Sequence, residues 1–160
     1  MAIKVTPTDA NGNEAVPAFD WSQKFPFPKV DTTVMYQIFG RLGNNSSGQH
    51  SAAVFLCANI VSIGTSEHGL FVIQANSRMN AFAVSGVRLA PSSSSKPLEW
   101  GYYRGSDEYW YIGVKRPTYS PTMTVYLLGA GVSGGVKPAS VGEYGESATA
   151  PNGWTTFTIS

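Results

Sequence analysis

Carboxylates, two histidines and a lone cysteine are the residues of this sequence that catalysis or metal binding would need, and their spacing argues against most such chemistry. Asp107 and Glu108 sit in Gly105-Ser-Asp-Glu, and Glu143 and Glu146 follow near the C-terminal end. Two carboxylates brought to within about 5 to 9 Å would make a glycosidase pair. A simpler account covers them, because an Asp in a glycine-containing turn bonds its own backbone and a neighbouring Glu stays solvated. The Asp-x-Asp-x-Asp-Gly spacing of a calcium loop does not occur. His50 and His68 are the only histidines, and neither has a second ligand at helical or finger spacing. Glu67 adjoins His68, but neighbours in extended backbone point apart, and no Gly-x-Ser-x-Gly setting for a nucleophile occurs. Cys57 lies in the apolar run from Ala52 to Ile63, where a buried structural thiol is expected. The expectation is therefore a protein that is not an enzyme and carries no metal or cofactor.

Binding chemistry has better material. Charged residues make up 13% of the 160, about half the usual quarter, while aromatic residues make up 12%. A formal net charge of +1 with scattered Lys and Arg lacks the footprint of a nucleic-acid binder. Sugar rings stack on Tyr and Trp, and Asn, Arg and Asp bond hydroxyl groups. The residues of that kind near predicted turns are Tyr102, Tyr103, Arg104, Asp107 and Tyr109, with Asn44, Asn45 and His50 from the polar loop Gly43-Asn-Asn-Ser-Ser-Gly-Gln-His. Taken singly, each reads first as structural. As a set they read equally well as a receptor-binding site.

The elements that must position them are strands. Trp100 to Arg104 and Tyr109 to Lys115 flank the Gly105 turn as a hairpin. In the second run Tyr109, Tyr111 and Gly113 face one way while Trp110, Ile112 and Val114 face the other. Thr33 to Leu42 alternates in the same manner. Ala52 to Ile63 is apolar on both faces, as a central strand or a buried helix would be, and its β-branched content with the following Gly64 favours strand. Leu70 to Asn76 and Ala81 to Leu89 form a second hairpin, and Met123 to Leu128 and Trp154 to Ile159 add two more strands. The glycine-rich run from Gly129 to Gly135 and the segment Val136 to Asn152 read as irregular. Phe19 to Pro28 carries four rings between prolines and suits wrapping over a sheet edge. No capped amphipathic helix longer than two turns is visible. The fold class is all-β, an antiparallel β-sandwich or jelly roll, divided into an N-terminal arm or linker over 1–18 and a β-sandwich receptor-binding domain over 19–160. The N-terminus has no apolar h-region and no stretch nears the roughly 18 apolar residues of a spanning helix. Synthesis in the cytosol without a visible export signal, and no membrane insertion, are expected.

The segment Asp107-Glu-Tyr-Trp-Tyr-Ile-Gly-Val-Lys-Arg-Pro-Thr-Tyr-Ser, the alternating Thr-Met-Thr-Val-Tyr strand after it, Phe19-Asp-Trp-Ser and Gly-Trp-Thr-Thr-Phe-Thr resemble the C-terminal receptor-binding tips of tailed-bacteriophage tail fibres. The resemblance spans most of 19–160. It implies a virion protein and a homotrimer joined to the rest of the phage tail. Its partner would be host lipopolysaccharide, another surface glycan or an outer-membrane protein. Phe19 to Phe27 and Val136 to Asn152 would then bridge subunits. The chain departs from such fibres in having no shaft repeats and no histidine-rich needle motif. The rival readings are a carbohydrate-binding module of a glycan-active protein, a structural jelly-roll virion protein and, last, a glycan-degrading enzyme.

Overall fold

A computed structural model describes residues 23–44, 48–59, 67–89, 96–134 and 136–160. The expected arm over 1–18, the Phe19 to Ser22 opening, Asn45 and the stretch from Ile60 to Ile63 lie outside them. Ten strands run in chain order: β1 (Lys24–Phe27), β2 (Met35–Leu42), β3 (His50–Asn59), β4 (Gly69–Arg78), β5 (Ala81–Arg88), β6 (Glu99–Arg104), β7 (Trp110–Arg116), β8 (Met123–Val132), β9 (Ser140–Ser147) and β10 (Thr155–Phe157). The first sheet has the order β1-β8-β3-β4-β5 and the second β10-β6-β7-β2-β9. Pairings between these strands are antiparallel. The described residues contain no helix, so the all-β antiparallel sandwich stands.

Period two decides what lies between the sheets. Phe55 of β3 and Phe71 of β4 meet Phe39 of β2 and Trp100 of β6, with ring centroids 5.6 Å apart for Phe39 and Phe55 and 5.1 Å for Phe71 and Trp100. Each such ring, closed off from water, contributes about 1.5 to 3 kcal/mol relative to an exposed one. Cys57 is fully buried in this core, and burial pushes its thiol pKa up, so it is inert packing. Near the β5 and β10 edges a second cluster fills the gap. Phe82 stacks on Trp110 at 4.9 Å and 17°, and Tyr102 leans on both.

Several predicted boundaries move. The β4–β5 hairpin turns at Met79 and Asn80, whose φ values of 51° and 60° are those of a two-residue primed turn. The glycine-rich run does not end the strand: Gly129 to Val132 continue β8 because β3 supplies partners from Ser51 to Val54 across a register shift. Gly weakens a strand by entropy, yet a neighbour already fixed in the ladder offsets that. The segment expected to be irregular contains β9, paired to β2 across a bulge that blurs its alternation. Phe25 and Phe27 pack against this chain's own core, so β1 is itself the sheet edge, and Pro26 is tolerated there.

Candidate functional site

Two neighbours on β6 show how the fold sorts the aromatic residues. Trp100 and Tyr102 point between the sheets, whereas Gly101 and Tyr103 point out of the second sheet. Tyr103 stacks on Tyr111 of β7 with centroids 5.1 Å apart and planes 16° from parallel. Tyr111 in turn meets Tyr109 at 6.3 Å and Tyr144 of β9 at 5.9 Å. Farther along the same face Tyr36 of β2 meets Trp154 edge-on at 5.4 Å. Trp154 lies flat over Gly101, where any Cβ would collide with the indole. The outer face of the second sheet is therefore a strip of rings spanning four strands.

Two shallow depressions open along this strip. One of about 250 Å³ is lined by Tyr36, Tyr103 and Glu146 together with the segment from Thr149 to Pro151. The other, of about 240 Å³, lies at the end of the sheet and is lined by Gly43, Asn44, Asp107, Glu108, Tyr109 and Lys137. Gly43 makes the second one possible, since a Cβ there would stand 2.5 Å from the Lys137 carbonyl oxygen. The close approach seats the loop between β8 and β9 against the end of β2, and Ser77 Oγ donates to the Gly43 carbonyl at 2.6 Å to hold it.

A third feature is cationic. Arg41 of β2 places its guanidinium 4.9 Å from the Tyr109 ring centre and 4.8 Å from that of Tyr144. Its Nε donates to Ser140 Oγ at 3.1 Å, and the Tyr144 hydroxyl donates to the same oxygen at 2.7 Å. Lys137 Nζ stands 5.3 Å from the Tyr109 ring centre. All three distances suit cation–π attraction. Arg41 reaches the outer face only because of the bulge between Ile38 and Gly40, which puts Phe39 and Gly40 both toward the core and reverses the parity of the residues that follow.

The residues expected at the site divide by role. Tyr103, Asp107 and Tyr109 lie on the outer strip or its rim. Asp107 accepts from the Tyr111 hydroxyl at 2.6 Å and from the Tyr109 backbone N–H at 3.3 Å. The Tyr111 bond, first of all, holds its carboxyl below the usual range, while burial and this same bond push the Tyr111 phenol up to about 12. Burial and the nearby Asp107 charge also raise the Tyr103 phenol. Asn44 spends both ends of its amide within the protein: Oδ1 accepts from Trp110 Nε1 at 3.1 Å and Nδ2 donates to Asn80 Oδ1 at 2.7 Å. It ties three turns together beneath the depression it lines. Arg104 faces Glu108 at 3.8 Å and reaches Asn80 and the Trp110 ring. Tyr102 is interior filling on the opposite face from Tyr103, so the two cannot serve one ligand. His50 begins β3 in the other sheet, with Nδ1 3.2 Å from Ser133 Oγ, and lines neither depression. Glu67 sits away from both depressions; its carboxylate binds Arg88 and accepts from the Leu98 N–H at 2.9 Å.

Sequence reasoning missed Arg41, Lys137, Tyr144, Tyr36 and Trp154. Parity alone would have replaced Tyr102 by Tyr111, since Tyr111 shares its face with Tyr109. For Arg41 and Lys137 no local signal exists, because one needs a bulge and the other a loop crossing.

No protein-family model matches the chain, and no curated protein does. Among solved structures, Pantoea stewartii WceF, described as a glycan biofilm modifying enzyme with a bacteriophage tailspike-like parallel beta-helix fold, superposes with a TM-score of 0.54 at 12% identity. The match covers 82% of this chain and 21% of that one. At such identity the likeness is one of fold, to about a fifth of a larger protein. The parallel helix of that description is not a property of this chain, whose named strands pair antiparallel.

Proposed function

We propose that this chain is the receptor-binding domain of a phage tail fibre or tailspike-like adhesin and that it holds a bacterial surface glycan on the aromatic outer face of its second sheet. The observation that carries the proposal is the strip formed by Trp154, Tyr36, Tyr103, Tyr111, Tyr109 and Tyr144, with a shallow depression toward each end. Rings laid along strands offer flat apolar area at low entropic cost, and the polar groups between them suit hydroxyls. The fold likeness to part of a tailspike-like glycan-modifying protein supports the same reading. The domain binds without cleaving. Asp107 is tied into its turn and held at a low pKa, opposite to what a general acid for glycoside hydrolysis needs.

The domain acts as a homotrimer in the virion, which multiplies a weak saccharide contact by effective concentration. The outer face of the first sheet suits the contact between copies. Strands β8, β3 and β4 contain one charged residue, Arg78, and present Ala52, Val54, Leu56, Val72 and Tyr126 half exposed. Permanent subunit interfaces are apolar and depleted of charge in this way. A second reading, a carbohydrate-binding module of a glycan-active protein, is favoured by the match to only 21% of an enzyme chain. Labelled protein added to bacterial cells with and without periodate oxidation tests the proposal: oxidation should abolish binding. Binding that survives oxidation but not protease treatment of the cells would point to an outer-membrane protein and overturn the glycan.

A further inference from the structure

We propose that the end of the strip around Arg41, Tyr109 and Lys137 is a subsite for an acidic sugar, a saccharide unit carrying a carboxylate or phosphate. The inference rests on the reading of the outer face as a saccharide surface and names the chemical class that this surface selects.

The argument is one of unspent donors. Arg41 is oriented from three sides: the Tyr109 ring, the Tyr144 ring, and Ser140 Oγ at its Nε. Neither terminal nitrogen of the guanidinium has a hydrogen-bond or ion-pair partner among the described residues, and that terminal edge is one that takes a carboxylate or phosphate in bidentate fashion. Lys137 Nζ, likewise without an ion pair among the described residues, approaches the same Tyr109 ring. One ring thus collects two cations; neither has an ion-pair partner within contact distance among the described residues, although the Asp107 carboxylate is near enough to feel the Arg41 charge. The carboxylates that line the depression are already engaged. Asp107 accepts from Tyr111 and Tyr109, and Glu108 faces Arg104 at 3.8 Å.

Other cations of the molecule contrast with this arrangement. Arg88 binds the buried Glu67, and Lys115 binds Glu99 at 3.3 Å. On a chain with 13% charged residues, two cations share one tyrosine, Tyr109, which together with Lys137, Asp107 and Glu108 lines the depression. A neutral sugar stacked on Tyr109 would leave the terminal edge of Arg41 without a charged acceptor, whereas an acidic unit satisfies that edge directly and Lys137 through charge.

The test titrates isotope-labelled protein and reads backbone amide shifts at Asn44, Tyr109 and Lys137. The probes are D-glucuronate, glucose 6-phosphate, neutral methyl glucoside and sodium acetate. One or both acidic sugars should give saturable shifts with affinity roughly 10-fold or more above methyl glucoside. The preference should weaken as salt rises. The phosphate and carboxylate arms say which anion is preferred. Arg41→Gln combined with Lys137→Gln should erase it in protein that remains folded, the melting temperature falling only slightly from the lost contacts of Arg41 with two rings and Ser140. Equal affinity for the neutral sugar, equal shifts with acetate alone, no shifts with either acidic sugar, or an acid preference that survives both substitutions each overturns the proposal. Cell binding that stays periodate-sensitive in the double variant, with no acid preference in solution, would leave the wider glycan reading standing and remove only this subsite.

Discussion

The two sheets present opposite outer faces. That of the first is mainly aliphatic and poor in charge, with Ala52, Val54, Leu56 and Val72 at its middle, Thr124 and Tyr126 on β8, and Gln74, Asn76 and Arg78 along β4. That of the second carries Tyr36, Tyr103, Tyr111, Tyr144 and Trp154 with Arg41 and Lys115 among them. Both rest on one shared core, so neither face is dictated by the need to fold. Flat aliphatic surface is suited to being covered permanently by a copy of itself, whereas rings flanked by cations suit reversible contact with polar ligands. The difference teaches that burial alone does not locate function here; the chemistry of what stays outside does.

The comparison is broken most severely by placing charge on the aliphatic face. Val54→Asp should reduce the sedimenting mass from trimer to monomer, because an unpaired carboxylate would have to be desolvated in each interface. A wild-type chain that sediments as a monomer at micromolar concentration, or a variant that stays trimeric, would remove the face from the assembly. Next in size is the pair of adjacent residues on β6. Tyr102→Ala, which empties space between Phe82, Trp110 and Phe157, should cost about 2 to 4 kcal/mol in denaturant unfolding and leave glycan affinity per folded molecule unchanged. Tyr103→Ala should do the reverse: roughly 10-fold weaker cell binding, with stability lowered by only about 1 kcal/mol from the lost stack.

The smallest effect is the acid behaviour of the hairpin tip. Asp107 has a folded pKa below its ordinary value, so the stability it contributes is present above the unfolded carboxylate pKa of about 3.9 and is lost as pH falls through the lower folded value. Tyr111→Phe removes the largest cause. Its melting temperature should lie slightly below wild type at pH 7, and the gap should close below about pH 4. A gap that stays constant with pH would mean that Tyr111 supports the tip by packing alone.

Much of this architecture is legible in the residues. The hairpins around Gly105 and around Met79-Asn80, the central position of β3 and the sandwich class follow from alternation and turn chemistry. So does the sorting of Tyr109 and Tyr111 away from Trp110 and Ile112. β9 was hidden because its pairing to β2 is bulged and its sequence, Ser-Val-Gly-Glu-Tyr-Gly-Glu-Ser, alternates poorly. The continuation of β8 through glycines was hidden because a ladder belongs to the backbone and its partner, not to side-chain propensity.

By itself the sequence determined that this chain is all-β, poor in charge and rich in rings, since composition and period-two alternation act within a few residues of one another. Only the tertiary structure decided which rings share a face and which charges join them. A one-residue bulge in β2 turns Arg41 outward, and Gly43 admits the distant loop that brings Lys137 beside the same Tyr109. Contacts between distant segments depend on register and on close backbone approach, and neither is written in any local pattern of residue types.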